Sequence, residues 1–208
     1  MFVLPSEAKI CEANFELRSH GIFQVFCLLS LFLTLYSLLF STPMLEQSNF
    51  IALYESAFPE IERRPTAHEI TMTDPRFEIR IIRQNDGTFA GFITLWHFAD
   101  FDYVEHFAML PALRGGGLGS QTLKTLQKES TKPIVLEIEL PEDDLSRRRM
   151  AFYQRNGFSA MPQHYEQPSY APTLPSLPLI IMTTATDHSD QFFDIIKNTL
   201  YHEVYKVD

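Results

Sequence analysis

Between Tyr103 and Ser120 the chain reads YVEHFAMLPALRGGGLGS, and this stretch constrains the fold more than any other. Tyr103 to Leu110 has the composition of a strand. Pro111 stops it, a glycine-rich turn follows, and Leu118 to Lys128 returns as a helix with Leu118, Leu123 and Leu126 on its inner side. The first amides of such a helix lack internal acceptors, and its dipole adds positive potential there. A pyrophosphate suits that place. The glycines let the backbone approach an anion and adopt positive φ, and Arg114 adds charge at the rim. No Lys-Ser/Thr pair follows the last glycine, so this is not a P-loop, and no acidic strand end follows at dinucleotide-binding spacing. On the glycines alone, a turn without a ligand is an equally open reading.

The surrounding elements predict a mixed sheet. Ser48 is placed to cap a helix carrying Phe50, Ile51, Tyr54, Ala57 and Phe58 at helical spacing, ended by Pro59. Thr66 to Glu69 fits a capping box for a second short helix. Phe77, Ile79 and Ile81 alternate with polar residues as in a strand. Asn85-Asp86-Gly87 signals a hairpin turn, and Thr88 to Phe98 is the returning strand. After the glycine turn and its helix come a strand at Ile134 to Leu140 and a helix at Leu145 to Asn156, with Asn156-Gly157 as its left-handed cap. Pro162 to Pro178 reads as a loop, Leu179 to Thr184 as a late strand, and Ser189 to Tyr205 as a tail helix. Three meandering strands followed by a strand–helix–strand crossover give an α/β (α+β) fold, with a mixed, mostly antiparallel central sheet and helices on both faces.

Two segments together resemble a known family. Arg114-Gly115-Gly116-Gly117-Leu118-Gly119 fits the pattern Q/R-x-x-G-x-G/A of the GNAT N-acetyltransferases, and the preceding FAMLP resembles that family's fourth strand. Ala151 to Phe158, AFYQRNGF, looks like its second signature, F-Y-x-x-x-G-F at the end of a helix. One helix and one strand separate the two, as in the family. The resemblance covers Ser48 to about Thr184 and implies acetyl-CoA as co-substrate. Backbone groups of Phe107, Ala108 and Met109 would then meet the pantetheine arm in a gap beside the next strand. Arg114, Gly115, Gly116, Gly117, Leu118, Gly119 and Ser120 would hold the pyrophosphate.

The resemblance also places Tyr153 where a general acid protonates the departing thiolate. A phenol with a pKa near ~10 is suited to protonating a thiolate whose acid titrates near ~8.5. The plainer alternative for Tyr153 is a core aromatic. A base must take a proton from the attacking ammonium, and Glu105 and His106 lie on the strand expected to line the cleft. Successive strand side chains face opposite ways, so only one of them should reach the substrate. Glu105 is the preferred base, set against an exposed strand carboxylate, and His106 is expected to pack beneath the sheet. Where many family members carry Asn near the start of the second-signature helix, this chain has Ser146. The arginines that follow, Arg147, Arg148 and Arg149, are expected to pair with Glu142, Asp143 and Asp144.

Charge and cysteine content narrow the function further. The net charge is −9 and no run of Lys or Arg offers a phosphate-tracking stripe, which argues against a nucleic-acid partner and agrees with a cationic substrate. The two cysteines, Cys11 and Cys27, precede residue 44, so acyl transfer through an acyl-cysteine is not available to the domain. The histidines show no ligand spacing, and no metal is expected. Residues 1–43 stand apart as an extension, 44–184 as the N-acetyltransferase domain and 185–208 as a tail helix. Gly21 to Phe40 is uncharged and long enough to span a bilayer. It reads either as a single-pass anchor with the domain facing the cytosol, or as the product of a start assigned upstream of Met44 in a cytoplasmic protein. The expected activity is acetyl transfer from acetyl-CoA to a small-molecule or peptide primary amine by direct attack in a ternary complex. The competing readings are an acyl-CoA-binding sensor without turnover and a membrane-associated protein serving an anchored partner. Glu60 to Pro65 and Tyr165 to Tyr170 are the segments expected to select the acceptor.

Overall fold

The computed structural model describes residues 46–171 and 173–207, so the hydrophobic segment at 21–40 lies outside the described residues. Among the described residues no helix is long and apolar enough to cross a membrane. Ser48–Asp208 forms one compact unit. The described chain opens with helix α1 over residues 46–57, then a 3-10 turn, Glu60–Glu62, and the five-residue helix α2, Thr66–Ile70. Ser48 therefore lies inside the first helix rather than at its cap. Pro65, not Thr66, precedes α2, and no side chain caps it. The Thr66 hydroxyl instead donates to Glu55 at 2.6 Å, and Glu69 is turned fully inward.

Strands β1 (Phe77–Arg83), β2 (Phe89–His97) and β3 (Asp102–Met109) form an antiparallel meander. The turn between β1 and β2 uses Gly87 at φ +85°. Helix α3 (Leu118–Glu129) crosses from β3 to β4 (Ile134–Glu139), and α4 (Asp144–Arg155) follows. A two-residue strand β5 (Ser159–Ala160), the short strand β6 (Tyr165–Gln167) and the long β7 (Leu177–Thr183) complete the sheet. Strand order is β1-β2-β3-β4-β7-β5, with β6 also on β7. Among the described residues the only parallel pair is β3 with β4. β6 pairs with β7 inside the stretch expected to be loop throughout, because Tyr165 and Gln167 bury alternate side chains and their backbone groups need partners.

Three apolar clusters fill the two faces. On one face Ile93, Leu95 and Val104 pack with Leu123, Leu126, Tyr153 and Phe158 of α3 and α4 and the turn after α4. On the other, Phe92 and Ala108 meet Phe50, Leu53 and Tyr54 of α1. The same face continues through Trp96, Tyr103 and Val135 to the tail, helix α5 (Asp190–Thr199) and a π-helical turn, Leu200–Tyr205. Ser189 caps α5 by accepting from the Phe192 amide at 3.2 Å, as its position predicts. Phe193, Ile196, Leu200, Val204 and Tyr205 are buried, so the tail is a wall of this unit.

Two features of β3 position the site. It pairs with β4 over only Asp102–Val104 against Ile134–Leu136, so beyond Val104 the two strands part. Its register against β2 also shifts: Leu95 faces Val104 and Thr94 faces His106, leaving Glu105 as an extra residue. Such a bulge breaks the strict alternation of side chains.

Candidate active site

The glycine turn leaves its backbone open. Gly117 stands before α3 at φ +85°, with no side-chain cap, and Gly115 is at φ +82°. Among the described residues, the amides of residues 115–120 donate to no protein oxygen. A Cβ at Gly115 or Gly117 would meet no atom within 4 Å, so the backbone faces open space. A Cβ at Gly119 would come within ordinary contact distance of Phe107 and Phe152. Free amides at a helix N-terminus, with Arg114 beside them, fit the pyrophosphate of acetyl-CoA.

The parted edge of β3 runs toward this turn. The Leu110 amide donates to Ala90 of β2 at 2.9 Å. By alternation Ala108 also turns its backbone groups to β2, while Phe107 and Met109 turn theirs to the open edge. Of the three residues expected to offer backbone groups, Phe107 and Met109 are therefore placed to do so and Ala108 is not. The Met109 carbonyl accepts from Arg114 Nε at 3.1 Å, which ties the edge to the glycine turn.

Tyr153 projects from α4 into the core beside this gap. Its ring packs edge-on against Phe152 and Phe158. Among the described residues nothing hydrogen-bonds its hydroxyl. Burial is the main cause that pushes its pKa up to about 12, with the Arg149 charge opposing and Glu139 adding to it. The side chain is thus both core aromatic and proton-bearing group. The start of α4 is set by a capping box in which Asp143 is the cap and Ser146 its reciprocal partner at the third helical position, so Ser146 has a structural task. Of the three arginines, Arg147 pairs with Asp144 at 2.7 Å as expected, but Arg149 pairs with Glu139 of β4.

Glu105 and His106 do not face opposite ways, because the bulge places both on the same side of the sheet. The Glu105 side chain is fully buried, and its carboxylate accepts four hydrogen bonds. Arg64 Nε and Nη2 donate to Oε1 at 3.0 and 2.7 Å, the Tyr170 hydroxyl donates to Oε1 at 2.8 Å, and Trp96 Nε1 donates to Oε2 at 2.7 Å. Burial alone would raise its pKa, but the charges of Arg64 and His106 and these donors hold it below the usual carboxylate value. His106 lies under the sheet, as expected. Its Nε2 donates to the Glu62 carbonyl at 3.2 Å, and Nδ1 lies 3.3 Å from the Thr94 hydroxyl and 3.6 Å from Glu69.

Several members of this cluster carry no motif. Arg64 is 5% exposed, lies over the rings of Trp96 and Tyr170 at 5.5 and 5.1 Å, and also donates to the Val204 carbonyl of the tail. Among the described residues Glu69 accepts no hydrogen bond, and it lies 3.5 Å from Arg64. Burial and the Glu105 charge raise its pKa. Next to this group, Glu137 accepts from the hydroxyls of Tyr103 and Tyr205, both at 2.6 Å, and from Tyr165. A tyrosine in a buried strand position must find a partner for its hydroxyl, and that was the available signal for Tyr103 and Tyr165. Glu69, Glu105 and His106 bring ligand-type atoms within 4.8 Å of one another, which their sequence spacing does not suggest. The Arg64 guanidinium already contacts both carboxylates, so it supplies the countercharge that a metal ion would.

Comparison with known proteins places these features in one family. Residues 77–160 match the acetyltransferase (GNAT) domain family. A solved protein of Bacteroides thetaiotaomicron, assigned to the GNAT family as an acetyltransferase, shares 36% identity over 81% of this chain and 96% of its own, with a TM-score of 0.74. This chain belongs to the GNAT acetyltransferase family. A solved protein assigned as a phosphinothricin N-acetyltransferase shares the fold at 13% identity, over 68% of this chain and 93% of its own, with a TM-score of 0.50. No curated protein matches the chain.

Proposed function

We propose that the protein transfers the acetyl group of acetyl-CoA to a primary amine by direct attack within a ternary complex. The observation that carries this reading is the free-amide cradle at Gly115–Ser120, continuous with the open edge of β3. When bound, acetyl-CoA supplies an activated thioester carbonyl and a thiol leaving group. The amides of residues 115–120 and Arg114 hold its pyrophosphate. Phe107 and Met109 orient the arm that enters the gap. Tyr153 gives its proton to the departing sulfur; a thiolate has the lower proton affinity, so this transfer needs nearby positive charge to lower that of the phenolate, and Arg149 supplies it. No cysteine follows residue 27, which agrees with direct attack.

Glu105 is the residue from which a base was expected. We assign it instead the task of fixing charge: it neutralises Arg64 and joins β3 to the α1–α2 segment and to Tyr170. The acceptor is an amine that tolerates an acidic, aromatic wall, whether small molecule or peptide. The place of action is the cytosol, where acetyl-CoA is supplied.

Calorimetric titration of acetyl-CoA into the protein tests the reading, with a Gly117→Glu variant alongside. Glutamate there forces a side chain into positive φ and sets a negative charge on the anion site. Binding in the micromolar range that the variant loses is the expected result. A folded protein that binds no acetyl-CoA would defeat the proposal. Binding without thiol release across an amine panel would leave the sensor reading in its place.

A further inference from the structure

We propose that Glu62 is the proton acceptor for the attacking amine, an assignment that rests on the acetyltransferase reading above. The 3-10 turn Glu60–Glu62 closes through the Glu62 amide, which donates to the Pro59 carbonyl at 2.9 Å. The Glu62 carbonyl in turn accepts from His106 Nε2 at 3.2 Å. His106 stands on β3 just past the point where β3 leaves β4, so this bond pins Glu62 at the gap. Its neighbour Arg64 turns inward to Glu105, while the Glu62 side chain stays half-buried. Among the described residues, no hydrogen bond engages its carboxyl.

Glu62 and Tyr153 sense the same charges. The paired Glu139 and Arg149 act on the Glu62 carboxyl, and the same two act on the Tyr153 hydroxyl. Arg149 and Tyr153 are four residues apart on α4 and share a face. Glu62 and Tyr153 therefore both lie near the Glu139–Arg149 pair, Glu62 held to β3 through His106 and Tyr153 carried on α4. Glu105 cannot fill this role as well, because its oxygens are occupied and its proton affinity is depressed. Glu62 differs on both counts. Burial first, and the Glu139 charge second, raise its proton affinity, against Arg149 and His106. A weakly basic carboxylate becomes a better acceptor when raised in this way.

The step balances in protons. The Glu62 carboxylate takes one proton from the acceptor ammonium, leaving a neutral amine whose lone pair forms the C–N bond as the C–S bond breaks. Tyr153 gives one proton to the sulfur. The nitrogen, once bonded to the acetyl carbon, sheds a second proton that restores the Tyr153 hydroxyl, and Glu62 releases its own to solvent, so each turnover releases a single proton. The groups facing Glu62 that set its titration are His106 on β3, Glu139 on β4 and Arg149 on α4.

Two measurements test this on the full chain. The first needs no turnover: carbon NMR titration of side-chain-labelled glutamates, with Glu62→Gln to assign the signal. Glu62 should titrate above the ordinary carboxylate range. Titration at the value of an exposed glutamate would overturn the proposal whether or not the protein is an active transferase. The second is steady-state kinetics with whichever amine releases thiol. Glu62→Gln should lower kcat by roughly 10²–10⁴-fold and abolish the acidic limb of the pH profile, while acetyl-CoA affinity by calorimetry stays unchanged. Glu62→Asp should restore part of the rate. A Glu62→Gln variant that raises KM alone, or keeps the acidic limb, would show a carboxylate that only attracts the amine, and would overturn the assignment. Loss of acetyl-CoA binding in the unaltered protein would strike the acetyltransferase reading itself.

Discussion

Single residues carry the sharpest expectations. Tyr153→Phe keeps the ring contacts with Phe152 and Phe158 and removes only the hydroxyl. It should lower kcat by about 10²-fold or more and leave acetyl-CoA affinity, read by calorimetry, as it was. Glu105→Gln leaves the Arg64 guanidinium buried with a weakened partner, which should cost about 3–5 kcal/mol in urea unfolding. Replacing Arg64 and Glu105 together by apolar residues should cost much less, because neither charge is then left alone. His106 sets a pH dependence. Burial alone would lower its pKa, but the Glu69 carboxylate beside Nδ1 and the Glu105 charge outweigh that and raise it. The folded protein therefore binds this proton more tightly than the unfolded chain does. Its contribution to stability is full below an unfolded value near ~6.5 and is lost as pH rises through the folded value. Unfolding free energies measured on either side of that window should fall with rising pH, and His106→Gln should flatten the fall. The sequence made Glu105, His106 and Tyr153 visible through their neighbours on a strand and in a motif. Arg64 was not visible, because its meaning comes from a partner 41 residues away.

At the scale of elements, most of the architecture was legible. Periodicity marked the helices, and turn residues at Gly87 and Gly157 marked where strands and helices end. Two irregularities were not legible, and both shape the site. The bulge at Glu105 depends on how β3 lies against β2, since no local pattern announces an unpaired residue. Likewise the parting of β3 from β4 follows from pairing over three residues only, a property of neither strand alone. The close approach of β2 to β3 gives a further expectation. A Cβ at Gly91 would lie 2.2 Å from the Ala108 carbonyl oxygen. Gly91→Ala should therefore open the ladder at the strand that carries the site, costing about 1–3 kcal/mol or more in thermal unfolding. Binding of acetyl-CoA should weaken with it, because Phe107 and Met109 flank the displaced residue.

For the whole molecule, the tail matters more than its place in the sequence suggests. The family patterns end before it, yet its buried side chains complete the face that carries Trp96 and Tyr103. Tyr205 donates to Glu137, and the Val204 carbonyl receives Arg64. Removing residues 185–208 strips five large apolar side chains from the core, each worth about 1.5–3 kcal/mol. The total is comparable to the ~5–15 kcal/mol that holds a typical domain together. A chain ending at Thr184 should lack a cooperative thermal transition and lose acetyl-CoA binding. The amphipathic pattern of the tail foretold a helix. It did not foretell that the last turn becomes a π-helix delivering Tyr205 to a buried carboxylate.

The bulge at Glu105 has a consequence for heredity. On either side of it, β2 and β3 keep the alternation they would have if that residue were missing, since Val104 already faces Leu95 and His106 already faces Thr94. An in-frame loss of one codon would mend the ladder without turning any other side chain of β3 to the wrong face. The chain would gain regular pairing and strand the Arg64 guanidinium without its main counterion. In this strand, the more regular gene product is the one in which the acceptor wall fails.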